Sequence, residues 1–322
     1  MDELYDIFII GAGPAGLTAG LYGSRSNLKT VIIEKWAIPG GELLNTDAIE
    51  DYTGFAHVKG VELAELMLNH AKKFGVEVRT NEEVKSVVRR DGLFEIVTEE
   101  HLKSKINKYR AITVVITSGG TPIKLGVAGE EEYANRGVSY CAVCDGAFFN
   151  GEVITVIGGG DAAVEEANYL TRFGSKVYVV HRRDQFRAQK ILQDQLLQNP
   201  KVQVIWDSVV EEVKGEGVVT SLRIHNVKTG ETTDHPTQGV FIFVGFKPNT
   251  LFLEDHPDHD VSGHLITNDR METSVPGLFA AGDVRSQLVR QITNAVGDAT
   301  VAALAAEKYI THLKHMQAEA GA

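Results

Sequence analysis

The chain has 322 residues, with 32 Lys and Arg against 43 Asp and Glu, a formal net charge of −11. With 43% hydrophobic and 23% charged residues it reads as a globular chain of about two domains, which excludes a disordered, collagen-like or disulfide-stapled protein. The acidic balance gives no general attraction to nucleic acid or an anionic membrane, and no apolar run approaches the roughly 20 residues that span a bilayer.

Residues 1–6 are acidic and lead straight into an apolar run, so no secretory signal and a cytoplasmic location are expected. Residues 7–10 predict a buried strand that runs into Gly11-Ala12-Gly13-Pro14-Ala15-Gly16. A helix over 17–24 and a strand over 30–33, closed by Glu34, complete a βαβ unit. Strands are expected over 94–97 and 111–116, followed by the turn Gly119-Gly120-Thr121-Pro122. Cys141 and Cys144, the only cysteines, come next. The first pattern then returns: a strand over 153–157, Gly158-Gly159-Gly160-Asp161-Ala162-Ala163, a helix over 164–173 and a strand over 176–180 that ends at His181. Each unit spans 23 positions, from Gly11 to Glu34 and from Gly158 to His181. Further strands are expected over 202–205, 222–225 and 239–244, then the turn Gly245-Phe246-Lys247-Pro248 and a last helix over 293–313. Residues 316–322 are expected to fray. The fold class is therefore α/β, with two Rossmann-like dinucleotide-binding domains. Residues 119–245 form one domain, inserted into another built from 1–118 and 246–322.

In the first unit Gly11 permits the tight turn, Gly13 lets backbone approach a pyrophosphate, and Gly16 lets helix pack on strand. The helix start offers positive partial charge to the phosphates, and Glu34 can accept from ribose hydroxyls, which suits FAD or NAD. In the second unit Gly158, Gly160 and Ala163 fill the small positions, but the strand leads to His181, Arg182 and Arg183, with Arg187 beyond. Arginines bind a 2′-phosphate through charge-assisted bidentate bonds, which suits NADPH. Cys141-Ala142-Val143-Cys144 can close a small disulfide, and a zinc site lacks a second pair of ligands. Asp145, adjacent, can act as general acid or base. The His/Asp-rich run over 254–260 reads as a solvated turn, and Trp36 and Trp206 as packing residues.

These motifs, with Pro39-Gly40-Gly41, Gly282-Asp283 and Arg290-Gln291, resemble those of the low-molecular-weight thioredoxin reductases of bacteria over nearly the whole chain. The resemblance implies a homodimeric enzyme with an NADPH domain inserted into an FAD domain. Electrons would pass from NADPH to FAD, to the cysteine pair and to thioredoxin. It implies that Cys144 lies against the flavin, that Cys141 attacks the partner disulfide and that Asp145 donates the proton. Pro14 and Ala15 of the first turn, Gly41, Glu42, Leu43, Thr46, Asp51, Gly282, Asp283, Arg290, Gln291 and Ile292 would line the FAD site. Asp161 and Ala162 would join the NADPH site. The sequence departs from the family pattern at Glu42, where Gln is usual, at Asp51-Tyr52-Thr53-Gly54, and at Ala162, where Ser is usual. The alternatives are a glutaredoxin-like or peroxiredoxin-reducing acceptor, or an NADPH oxidase or ferredoxin-linked reductase on the same fold. The two turn-rich crossings suit a hinge that turns the inserted domain between two states.

Overall fold

The computed structural model describes residues 3–46 and 49–320. The chain divides into two compact units, Met1–Thr121 with Lys247–Ala322, and Pro122–Phe246.

In the first unit, strand Lys105–Ile116 organises the sheet. Its later residues pair in parallel with Glu3–Ile10 and with Leu278–Ala280. Its earlier ones pair antiparallel with Leu93–Glu100, which pairs in turn with Glu82–Arg90. Glu3–Ile10 continues through Thr30–Ile33 to Glu77–Arg79, all parallel. Ile7, Phe8 and Ile9 are fully buried, as expected of a parallel strand covered on both faces. Helix Pro14–Arg25 begins with its proline in the first turn and buries Ala15, Gly16, Leu17, Ala19 and Gly20. Ala15, Leu17 and Ala19 share one core with Ala299, Ala302, Ala303 and Ala306 of the long helix Ile292–Ala320. That helix runs through most of the segment expected to fray. From Lys314 to Ala320 it meets no proline or glycine and is built of strong helix formers, so nothing stops it. Gly321 and Ala322, like Met1 and Asp2, lie outside the described residues.

The second unit has a five-stranded parallel sheet in the order Val202–Ile205, Lys176–Val180, Val153–Gly158, Gly239–Phe243 and Val138–Ser139. A three-stranded antiparallel sheet, Ser208–Gly215, Val219–Asn226 and Thr232–Pro236, accompanies it. Of these last three, only part of the second was expected. Their outer positions carry Glu211, Glu212, Lys214, Thr232 and Asp234, so little hydrophobic alternation survives in the sequence. The strands Glu77–Arg79 and Glu82–Arg90 escaped for the same reason. Each unit clips its own ends together. Ser118 Oγ donates to Asn249 O at 2.6 Å and Asn249 N to Gly119 O at 3.0 Å in the first, and Ile123 N donates to Gly245 O at 2.9 Å in the second.

One packing expectation fails. Trp206 does pack, its ring centroid 4.6 Å from Phe186 and 6.1 Å from His181. Trp36 is 64% exposed, because the chain leaves the sheet after Ile33 and the indole projects beyond the core.

Candidate redox centre and dinucleotide cradles

In the first unit, Gly11 to Gly16 join strand Glu3–Ile10 to helix Pro14–Arg25. A Cβ on Gly16 would stand 1.8 Å from Gly11 O, so the helix sits closer to the turn than any side chain permits. Thr117 Oγ1 braces the turn, donating to Ile10 O at 2.8 Å and Gly11 O at 2.9 Å. Glu34 is buried at the strand end and accepts from Ala12 N at 2.7 Å and Trp36 N at 3.0 Å. Each oxygen keeps a lone pair for another donor. The turn at Gly40 and Gly41 faces Gly13, 3.8 Å from where its Cβ would be. Glu42 is exposed, Leu43 is buried and packs with Ile292, and Thr46 Oγ1 donates to Glu42 O at 3.0 Å. Asp51 lies on an exposed loop.

The turn Gly282–Val284 closes the same end: a Cβ on Gly282 would lie 3.1 Å from that of Ala15. Asp283 is pushed up to about 6, chiefly by burial and also by Glu42 and Asp298, against the pull of Arg290. Arg290 reaches His264, with Nη2 2.9 Å from its Nε2. Burial, and then Arg290, hold His264 below the usual histidine range. Gln291 O accepts from Ala295 N at 3.0 Å as the last helix begins. The structure therefore gathers Gly11, Gly13, Pro14, Ala15, Gly16, Glu34, Gly41, Leu43, Gly282, Asp283 and Ile292 around one helix start.

One residue here was missed in the sequence. Asp298 is buried and accepts from Gly282 N at 3.2 Å and from Arg285 Nη1 at 3.0 Å. It ties the last helix to the turn that carries Asp283. An Asp inside an alanine-rich helix signals a special site, but only the fold shows its partners.

In the second unit three features stand at the C-terminal end of one parallel sheet. Val138–Ser139 leads into the cysteines, Val153–Gly158 into the glycine turn, and Lys176–Val180 into the arginines. Ligands in open α/β sheets bind at that end. Cys141 and Cys144 are joined in a disulfide with Cα atoms 5.3 Å apart. Cys141 Sγ caps the short helix Ala142–Asp145 by accepting from Cys144 N at 3.2 Å. Ala142 packs in the same core as Ala163, Val164 and Ala167 of the nucleotide helix Asp161–Leu170. Ser139, also missed in the sequence, donates from Oγ to Asp145 Oδ2 at 2.6 Å and accepts from Cys141 N at 3.1 Å. One hydroxyl thus fixes both the acid and the first cysteine.

A Cβ on Gly158 would lie 2.5 Å from both Phe243 O and the Cβ of Ala163, whereas Gly160 faces open space. Asp161 Oδ1 accepts from Gln189 N at 2.7 Å and Arg187 N donates to Gly159 O at 2.8 Å, so the basic loop folds back on the glycine turn. His181 is buried, with Nε2 3.1 Å from Gln185 O, and burial holds it below the usual histidine range. Ala162 is exposed in the first helical turn. Arg182, Arg183 and Arg187 are exposed, and none forms an ion pair among the described residues. Their charge remains available to an anion. Both cradles fit a dinucleotide: each has a turn that excludes Cβ atoms beside a helix start without a side-chain cap.

A disulfide and two such cradles in one chain define a class of electron-transfer proteins. The chain belongs to the pyridine nucleotide-disulphide oxidoreductase family, whose model matches residues 5–299. It is similar to the thioredoxin reductase of Bacillus subtilis (strain 168), 47% identical over 315 residues and 97% of each chain. It is also 46% identical to that of Listeria innocua, over 99% of this chain and 98% of the relative. A solved thioredoxin reductase from Streptococcus pyogenes MGAS5005 matches with a TM-score of 0.89 and 50% identity, covering 97% of this chain and 100% of that one. The chain is an NADPH-dependent disulfide oxidoreductase that carries FAD.

Proposed function

We propose that thioredoxin is the acceptor, and that the chain works as a cytoplasmic homodimer. The observation that carries the acceptor reading is the helix Ala142–Asp145, which holds a closed dithiol pair with an adjacent carboxyl group fixed by Ser139. Bound FAD would supply two-electron transfer between NADPH and the disulfide. Backbone of Gly11, Gly13 and Gly16 would hold its pyrophosphate, Glu34 its ribose hydroxyls, and Gly282 and Asp283 its ribityl-phosphate region. Arg290, Gln291 and Ile292 would border the ring, with Gly41, Glu42, Leu43, Thr46 and Asp51. Gly158, Gly160, Asp161, Ala162 and Ala163 cradle NADPH, and His181, Arg182, Arg183 and Arg187 select its 2′-phosphate.

Reduction of the pair takes two electrons and two protons and breaks the Cys141–Cys144 bond. Cys141 then attacks the acceptor disulfide as a thiolate, which forms a mixed disulfide and releases one acceptor thiolate. Cys144 attacks Cys141, restores the internal disulfide and releases the second. Asp145 supplies the proton to the departing thiolate. No described helix is long and apolar enough to cross a membrane.

The test is anaerobic titration of the holoenzyme with NADPH, followed by thioredoxin. Bleaching of the flavin band and its recovery on adding oxidised thioredoxin are expected. Cys144→Ser should trap a covalent thioredoxin adduct through Cys141, and Cys141→Ser should not. Faster recovery with a glutaredoxin or a peroxiredoxin from the same acceptor panel would overturn the thioredoxin assignment.

A further inference from the structure

The arginine loop contains one carboxylate, Asp184, between Arg183 and Gln185. A negative group there opposes the binding of a phosphate. A hairpin that is distant in sequence neutralises it. Lys228 lies in the turn between strands Val219–Asn226 and Thr232–Pro236. Its Nζ is 3.1 Å from Asp184 Oδ2 and 3.1 Å from Asp207 Oδ1. The turn is built to hold it there. Asn226 Oδ1 accepts from Lys228 N at 3.0 Å and from Thr229 N at 2.9 Å, and Gly230 N donates to Asn226 O at 2.9 Å.

The hairpin is also tied to the loop through backbone. Val227 N donates to Asp207 O at 2.7 Å, and Asp207 N donates to Arg183 O at 3.2 Å. Ser208 N donates to His181 O at 3.0 Å, which joins the next residue to the strand end. The lysine therefore occupies the two carboxylates on this flank, while Arg182, Arg183 and Arg187 form no ion pair among the described residues. Lys228 also holds Asp184 below its usual carboxylate range.

We propose that Lys228 determines specificity for NADPH by position: it neutralises Asp184 and Asp207 beside the arginine loop, so that the full charge of the arginines acts on the 2′-phosphate. This rests on the reading of the second cradle as the NADPH site. A phosphate monoester carries about −1.5 to −2 charges at pH 7. Without Lys228 it would face two uncompensated carboxylates, at a range that salt screens beyond about 10 Å at 0.1 M.

The experiment is calorimetric titration of the holoenzyme with adenosine 2′,5′-bisphosphate and with adenosine 5′-monophosphate, which differ by the 2′-phosphate alone. Lys228→Ala should weaken the bisphosphate about fivefold to tenfold at low ionic strength, and less than about twofold near 0.5 M salt. It should leave the monophosphate within about twofold. Lys228→Arg should keep the wild-type preference, and Asp184→Asn in the Lys228→Ala background should recover most of it. Equal weakening of both ligands would make Lys228 a structural brace and overturn the proposal. So would an unchanged bisphosphate affinity. A wild-type protein that binds the two ligands equally would instead overturn the NADPH reading of the cradle, and this inference with it.

Discussion

The first βαβ unit ends its second strand on Glu34, a buried carboxylate that receives two backbone N–H groups. The second ends on His181, a buried ring held neutral, and carries its positive charge outward on Arg182, Arg183 and Arg187. The spacing is the same, and so is the use of a helix start beside a glycine turn. The charge at the strand end differs in sign and also in depth. An acid that serves a ribose can be rigid and half committed to the fold, because its acceptor capacity exceeds what two amides use. Cations proposed to serve a phosphate must stay uncommitted, and these stand on the surface while Lys228 pairs with the nearby acid. The turns differ as well. Gly16 cannot carry a Cβ at all, whereas its counterpart Ala163 carries one, and the space is instead surrendered by Gly158.

The largest expected effect comes from closing the first turn. Gly16→Ala places a methyl group against backbone oxygen, and overpacking of this kind costs about 1–3 kcal/mol or more. We expect a protein that purifies without flavin, read from the ratio of visible to ultraviolet absorbance. Gly160→Ala, where the added methyl group meets no protein atom and the backbone is extended, should unfold like the wild type. Similar damage in the two variants would erase the distinction between a tight and a loose cradle.

Next is the arginine pair. Arg182→Ala with Arg183→Ala should raise the Kd of NADPH about a hundredfold, since each charge-assisted bond is worth about 1.5–3 kcal/mol. NADH binding should stay nearly constant. Parallel losses for both coenzymes, measured by equilibrium titration, would assign the arginines to packing.

A smaller effect belongs to Asp283. Its pKa rises from 3.8 to about 6 on folding. Between those values the native state binds more proton than the unfolded one, so stability falls as pH rises, and the loss is complete above about 6. Asp283→Asn should therefore raise the Tm of the apoprotein by about 2–5 °C at pH 8 and change it little near pH 4. An unchanged Tm at pH 8 would mean that Asp283 finds compensation when charged.

The last comparison sets the two tryptophans near the strand ends against each other, with the smallest effect at Trp36. Trp206→Ala removes a ring packed on Phe186 and His181 and should cost about 1–3 kcal/mol. Trp36→Ala should stay within about 0.5 kcal/mol in denaturant unfolding.

The two glycine frames, the acid at the end of one and the arginines beyond the other, and the cysteine pair were all legible in the sequence. Each depends on neighbours within about 25 positions, where spacing alone dictates which groups meet. The charged strands were not legible, because their outer faces carry no hydrophobic period. Nor was the exposure of Trp36, which depends on where the chain leaves the sheet.

What the amino-acid order determined by itself is thus the local chemistry: two helix starts able to hold phosphates, one dithiol, and the sign of charge at each strand end. The tertiary structure decided which distant groups support that chemistry. Asp298 reaches Gly282 across 16 positions, Thr117 reaches Gly11 across 106, and Lys228 reaches Asp184 across 44. Ser139, only six positions from Asp145, meets it because the edge strand ends where the cysteine helix turns back. The physical reason is common to all four. A hydrogen bond needs its partners near 3 Å and aligned, and only the packing of sheet, helix and hairpin brings separated segments to that distance.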